Sequence, residues 1–274
     1  MTRGKPPTKS PYTEHLVAFL DVLGFRALVK GNKKEKIDEY FLVTKVVEKY
    51  LRNIQIKSNI KFITFSDSIV MGLDVDGIPK GDRADRLRQF CIAVSILQCD
   101  LAKHGIWIRG GISFGDLSFE KEKNVIFGPA LIDAYDLEAK VAKVPRVLVS
   151  QIFLKYLDCE TTAEIIAALN TKIHDNWSSS VLYSWRIGEA EYNSFKRDYP
   201  LFVDYLGQFL IAEKHEELGE LIKLLQITSN ETPEAYEKLR WVGDYLIASY
   251  RTSKNNIGPS IDALDPTINA LEKY

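Results

Sequence analysis

The sequence predicts an α+β sandwich: a mostly antiparallel sheet with helices on one face, followed by a mostly helical C-terminal extension. Three observations carry this. Up to residue 150, short apolar runs alternate with amphipathic stretches in the order β-α-β-β-α-β-β-α-β, the pattern of helices layered on a sheet. The segment IKFITFSDSIVMGL doubles back about Ser66, Asp67 and Ser68 as a hairpin. Beyond residue 150 the spacing becomes helical, with one strand-like stretch, LFVDYL. The expected division is a flexible basic arm over 1–12, a core unit over 13–150, and an extension over 151–274 packed on that core.

Taken in order, HLVAFLDVLG (15–24) is an apolar run closed by glycine, the signature of a buried central strand. Ile37, Tyr40, Phe41, Thr44, Val47 and Leu51 recur at helical spacing, which predicts a helix over 33–55. The hairpin follows, over 60–73. Leu87, Phe90, Cys91, Val94, Leu97 and Leu101 then form the stripe of a helix over 83–104, stopped by Gly105. IWIRGGISFG (106–115) reads as a strand, a charged tip SFEKEKN leads to a short strand over 125–128, and Pro129 opens a helix to about residue 143. RVLVS (146–150) is the next strand. Helices are expected over 161–174, 205–225 and 233–251, followed by a Pro/Asn/Gly-rich tail.

The composition is that of a globular chain: 274 residues, 46% hydrophobic and 27% charged. A net charge of -1 supplies no field for nucleic acid or anionic lipid, and no basic-aromatic stripe points to nucleic acid. No apolar run approaches the ~18 residues of a membrane span, and MTRGKPPTKS leads into no secretory h-region. Cys91, Cys99 and Cys159 have neither disulfide-framework nor zinc spacing; Cys91 and Cys99, eight apart on one helical face, read as buried small hydrophobes, and a reducing cytoplasm is the expected setting.

Two carboxylates stand out. Asp21 ends an apolar strand and Asp67 turns the neighbouring hairpin, and ionised aspartates rarely occupy such places unless paired or metal-bound. If the strands are neighbours, the carboxylates converge, and two carboxylates plus substrate phosphates are the usual surroundings of Mg²⁺.

FLDVLGF resembles the first metal strand of the class III adenylate and guanylate cyclases, and FSDSIVM their second metal hairpin. IRGGISFG resembles their later R-x-G-I-x-x-G strand, and IFGPALIDAYDLEAKVAKVPRVLVS the helix and strand that follow. Four motifs in family order span residues 15–150. The resemblance implies a class III cyclase-like sandwich, with 13–150 as the catalytic domain. It implies Asp21 and Asp67 as ligands of two Mn²⁺ or Mg²⁺ ions, with the carbonyl of Val22 as a third ligand. Gly24, Phe25 and Arg26 would offer backbone amides to the triphosphate, and Arg109 its guanidinium. Gly110, Gly111 and Gly115 would serve close backbone packing.

The chain departs from the family at three places. Ile63 stands four residues before the second aspartate, where a Lys or Glu reads the purine. Ile132 and Asp136 stand where an Asn and an Arg from the partner subunit act on the ribose and transition state. DVLGF, SDS, RGGI, GPALIDAYDLE, PRVLVS, FVDYL and WVGDY resemble instead the pyrimidine cyclases of bacterial Pycsar antiphage systems, over nearly the whole chain. That resemblance implies a homodimer with sites at its interface, making cyclic UMP or cyclic CMP for a cyclic-nucleotide-gated effector. Ile63, with Lys61 or Tyr50, would limit pocket size. Two alternatives stay open: an adenylate or guanylate cyclase with unusual selectors, and an inactive cyclase-like module that binds nucleotide or dimerises. A diguanylate cyclase is disfavoured, since no GGDEF-like signature is present.

The remaining polar residues read as structural. His15, His104, His174 and His215 lack metal spacing. Glu138 and Lys140 read as a solvated helical face, Lys196 and Arg197 as loop charges, and Trp177, Trp185 and Trp241 as core or interface.

Overall fold

Residues 16–20 are apolar at every position, so the strand they form has two faces to cover. That strand is β1 (Thr13–Val22), and both its faces are buried in the computed structural model. The structure describes residues 12–53, 60–120, 123, 125–170, 181–184, 201–210, 212–231, 233–257 and 259–273. The expected basic arm therefore lies outside the described residues apart from Tyr12, as do His174, Trp177, Trp185, Lys196 and Arg197.

The other strands are β2 (Lys61–Phe65), β3 (Ser68–Asp74), β4 (Ile108–Glu120), β5 (Val125–Phe127), β6 (Val147–Val149), β7 (Leu182–Ser184) and β8 (Leu201–Val203). They lie in the order β2-β3-β1-β4-β6-β8-β7, with β5 paired to β4. Among the described residues only β4–β6 is a parallel pair. The fold is therefore α+β with a mostly antiparallel sheet, as the sequence pattern predicts.

Helices α1 (Phe25–Lys30), α2 (Lys34–Asn53), α3 (Arg83–Lys103), α5 (Ile152–Tyr156) and α6 (Thr162–Asn170) serve one core. There Tyr40, Val47, Phe90, Val94 and Phe153 meet Leu16, Ala18 and Leu20 of β1. The expectation of helices on one face needs amending, because α4 (Pro129–Asp136) covers the other face. Its Ala130 and Ala134 cluster with Val17, Phe19, Ile63 and Val70. Farther along the sheet, Leu148 and Phe202 cluster with residues of α7 (His215–Ser229), α8 (Pro233–Ile257) and α9 (Asp265–Glu272), together with Cys99, Ala102 and Trp107. The cause is in β1 and β6 themselves: strands apolar on both sides need cover on both.

Gly105 stops α3 as expected, at φ +65, and Ile106 N–H returns to the Leu101 carbonyl at 3.0 Å. The helix expected over 205–225 begins only at His215. Asp204 accounts for the delay, since its carboxylate accepts the Gly207 N–H at 2.8 Å and turns the chain. The same carboxylate receives the Tyr245 hydroxyl, which ties the FVDYL and WVGDY motifs together inside the protein. The tail contains α9, anchored by buried Ile268 and Leu271. Among the described residues no helix is long and apolar enough to cross a membrane.

Gly111 permits α4 to lie against the sheet. A Cβ there stands 2.5 Å from the Leu137 Cβ and 2.6 Å from the Ala134 carbonyl oxygen. Gly111→Ala is therefore expected to destabilise the protein by about 1–3 kcal/mol, read as a lowered denaturation midpoint with an unchanged slope. A midpoint equal to that of the unaltered chain would show that α4 is free to shift.

Candidate active site

The antiparallel register sets Asp21, one residue from the end of β1, opposite Ser68 on β3 and opposite Arg109 on β4. Asp67 follows Ser66 in the β2–β3 turn, where Ser66 takes the left-handed conformation at φ +54. Val22 joins the two acids, its N–H donating to the Asp67 carbonyl at 3.0 Å. The predicted convergence of Asp21 and Asp67 is thus produced by strand pairing alone.

Arg109 lies against this pair. Its Nη2 and Nε donate to Asp21 Oδ2 at 3.3 and 3.4 Å, and Nη1 donates to the Ala142 carbonyl at 3.3 Å. Nη2 also stands 2.6 Å from Glu138 Oε1, an ion pair out of line for a hydrogen bond. The Glu138 side chain is only 4% exposed. Its reading as part of a solvated helical face is therefore corrected. Residues Leu137–Val141 form a π turn, which adds a residue to the winding and rotates Glu138 inward. Lys140 does face solvent, paired with Asp136 at 2.7 Å.

Burial lifts the Asp21 carboxyl above its ordinary range; Arg109 opposes this and the charge of Asp67 adds to it. Glu138 is raised by the same cause, again against Arg109. Tyr40, from α2, is fully buried, and its phenol is pushed up by burial and by the charges of Asp67 and Asp21. Its hydroxyl has no hydrogen-bond partner among the described residues. Nothing in its helical spacing set Tyr40 apart from a core aromatic. The site thus holds more negative charge than Arg109 alone accommodates, and its donors are oxygens, which suits a hard divalent cation. Among the described residues no group of three or more His, Cys, Asp or Glu is placed to hold a metal ion by itself.

The other predicted residues take several places. Gly24 adopts φ +78 and its carbonyl accepts the Ala27 and Leu28 amides, opening α1. Phe25 is buried edge-on against Tyr40, with ring centroids 5.8 Å apart, and Arg26 is exposed. Ile63, 9% exposed, packs in the cluster beneath α4. Lys61 donates to the Phe119 carbonyl at 3.2 Å, and Tyr50 lies exposed on α2. Ile132 is 62% exposed on α4. His15 is buried, with Nδ1 3.0 Å from the Thr13 carbonyl, and His104 pairs with Glu39 at 2.7 Å. Cys91 and Cys99 are buried, and burial raises both thiols. Trp241 is core, stacked on Tyr245 with ring centroids 5.3 Å apart.

No protein-family model matches the chain, and no curated protein matches it. Among solved structures it is similar to the adenylyl cyclase CyaB from P. aeruginosa, at 16% identity and TM-score 0.39, over 54% of this chain and 81% of that one. It is similar to the guanylyl cyclase Cya2 at 14% identity and TM-score 0.37, over 70% of this chain and 90% of that one. A class III adenylyl cyclase-like ATP-binding protein from Pseudomonas aeruginosa matches at 16% identity and TM-score 0.36, over 53% and 35%. Likenesses of this size assign no residue and no activity.

The raised carboxyl of Asp21 has a consequence for stability. Its ionisation costs the fold at pH values above the unfolded carboxyl value of about 4, and below that value both states are protonated and the cost vanishes. Asp21→Asn is therefore expected to raise the melting temperature of the ligand-free protein at pH 7 by roughly 2 °C or more. The gain should shrink as pH falls toward 4 in thermal melts followed by circular dichroism. A lowered melting temperature at pH 7 would mean that the Arg109 contact outweighs burial.

Proposed function

We propose that the chain is a pyrimidine nucleotide cyclase, converting UTP or CTP to the 3′,5′-cyclic nucleotide and pyrophosphate as a second messenger in antiphage defence. The observation that supports this best is the nearness of Asp67 to Asp21 at one end of the sheet, with Arg109 across the strand from Asp21. These residues sit within motifs that resemble class III cyclases in their order.

Asp21 and Asp67, with the Val22 carbonyl, would hold two Mn²⁺ or Mg²⁺ ions. Such ions supply positive charge that acidifies the ribose 3′-OH and neutralises the leaving pyrophosphate. The chain's own residues position the substrate. Glu138 and the Ala142 carbonyl hold Arg109 beside the acids, from where its planar donors would engage phosphate oxygens. The amides of Phe25 and Arg26, opening α1 after the Gly24 turn, add neutral donors. Ile63 gives the base an apolar neighbour in place of a purine-reading Lys or Glu.

Ile132 and Tyr135 of α4, with Phe127 just before it, expose large apolar side chains, as does Phe65 at the end of β2. These side chains support a second copy of the chain completing each site across a two-fold axis. The product would act through a cyclic-nucleotide-gated effector, in the cytoplasm.

A second reading rests on Ile132 and Asp136, which cannot do the work of the Asn and Arg in related enzymes: an inactive module that binds nucleotide and dimerises. The test is turnover of a nucleotide panel with Mn²⁺, the product identified by mass. UTP or CTP, and not ATP or GTP, is expected to give cyclic product. Cyclic AMP or cyclic GMP would make the chain a purine cyclase, and nucleotide binding without pyrophosphate release would make it the module. Asp67→Ala is expected to lower turnover at least ~100-fold while keeping the melting temperature. Full turnover by that variant would sink the metal assignment.

A further inference from the structure

A cleft of ≈ 470 Å³ opens beside the turn that follows β1, within the usual size range of small-ligand pockets. Leu23, Gly24 and Ala27 form one side, and Trp107 joins the lining from the start of β4. The opposite side comes from the C-terminal extension, through Thr228, Lys238 and Leu239. The extension thus faces the stretch of chain that the cyclase reading places against the triphosphate.

The polar lining is uneven. Three lysines (Lys33, Lys36 and Lys238) stand against Glu231 and Glu234. Lys33 and both glutamates are exposed, so solvent and salt screen them. Lys36 is engaged, bonded to Glu39 at 2.9 Å and to the His104 carbonyl. Lys238 is half-buried on α8, with neither an ion pair nor a hydrogen bond among the described residues. Its charge is near enough to bear on Asp21. Trp107 is 3% exposed, and its indole N–H also lacks a partner among the described residues. A half-buried cation with no direct ion pair, lining a cleft beside the two acids, suits an anion rich in acceptor oxygens.

We propose that Lys238 binds the terminal phosphates of the nucleoside triphosphate, making helix α8 a wall of the active site. This rests on the cyclase reading of Asp21 and Asp67, and adds to it a cation drawn from outside the resembling motifs. Lysine suits the task as a mobile point charge able to follow the phosphates as pyrophosphate leaves.

The test uses the full chain with Mn²⁺ and compares Lys238→Ala, Lys238→Arg and, as a control on the exposed side of α7, Lys223→Ala. Lys238→Ala is expected to raise KM for the nucleotide about tenfold or more, with a smaller change in kcat. Lys238→Arg should recover most of the loss, and Lys223→Ala should match the unaltered chain. A second readout needs no turnover: calorimetric binding of inorganic tripolyphosphate with Mn²⁺ should weaken by a similar factor in Lys238→Ala. Unchanged KM and unchanged tripolyphosphate affinity overturn the phosphate role, while turnover by the unaltered chain leaves the cyclase reading standing. Equal losses in the alanine and arginine variants, with a lowered melting temperature, also overturn it, because a structural role then suffices. If the unaltered chain turns over no nucleotide yet binds tripolyphosphate through Lys238, the cyclase reading falls and the phosphate site remains.

Discussion

Pairing between β1 and β4 brings a carboxylate and a guanidinium face to face at the end of an otherwise apolar strand, Asp21 against Arg109. Most of the site depends on that contact. Burial disfavours the charge on Asp21 and Asp67 adds repulsion, so without Arg109 the two acids would be poorly tolerated in the ligand-free protein. Arg109 in turn needs its own support, which comes from Glu138 and the Ala142 carbonyl on the segment following α4. On the proposed function, cations held by the acids would take over this neutralisation and leave the arginine for phosphate.

The position of Glu138 depends on backbone geometry far less visible than its charge. Gly111 lets the helix lie on the sheet, and the π turn after Asp136 swings the glutamate toward the strands. A side chain at Gly110 or Gly111 would push into neighbouring atoms: at Gly110 a Cβ would stand 2.5 Å from the Phe19 carbonyl oxygen. The paired glycines thus connect helix packing to the placement of a charged group.

Much of this was legible in the sequence, for identifiable reasons. Asp21 and Asp67 break apolar runs, and an ionisable group in such a run stands out at once. The hairpin that turns at Asp67 and the α3 stop at Gly105 follow from equally local signals, and the close packing at Gly110 and Gly111 from the family resemblance. Glu138 was not legible, because helical periodicity assumes 3.6 residues per turn and the π turn breaks that count. The start of α7 was missed because a side chain, Asp204, competes for the backbone amide of Gly207. Tyr40 and Lys238 look in sequence like a core aromatic and a helix-surface lysine. Only the tertiary arrangement puts the first near the acids and the second in a cleft. The helices on the second face follow from strands apolar on both sides, a feature already present in LVAFL.

The cluster joining Cys99, Ala102, Trp107 and Leu148 to α7, α8 and α9 bears on how the chain is made. Its first members leave the ribosome long before the helices that cover them, and β8 joins β6 across more than fifty intervening residues. During that interval an apolar face of the nascent sheet has no cover. Contacts of such separation slow folding and leave intermediates open to association. Until α7, α8 and α9 emerge, that face is the part of the nascent chain most open to association.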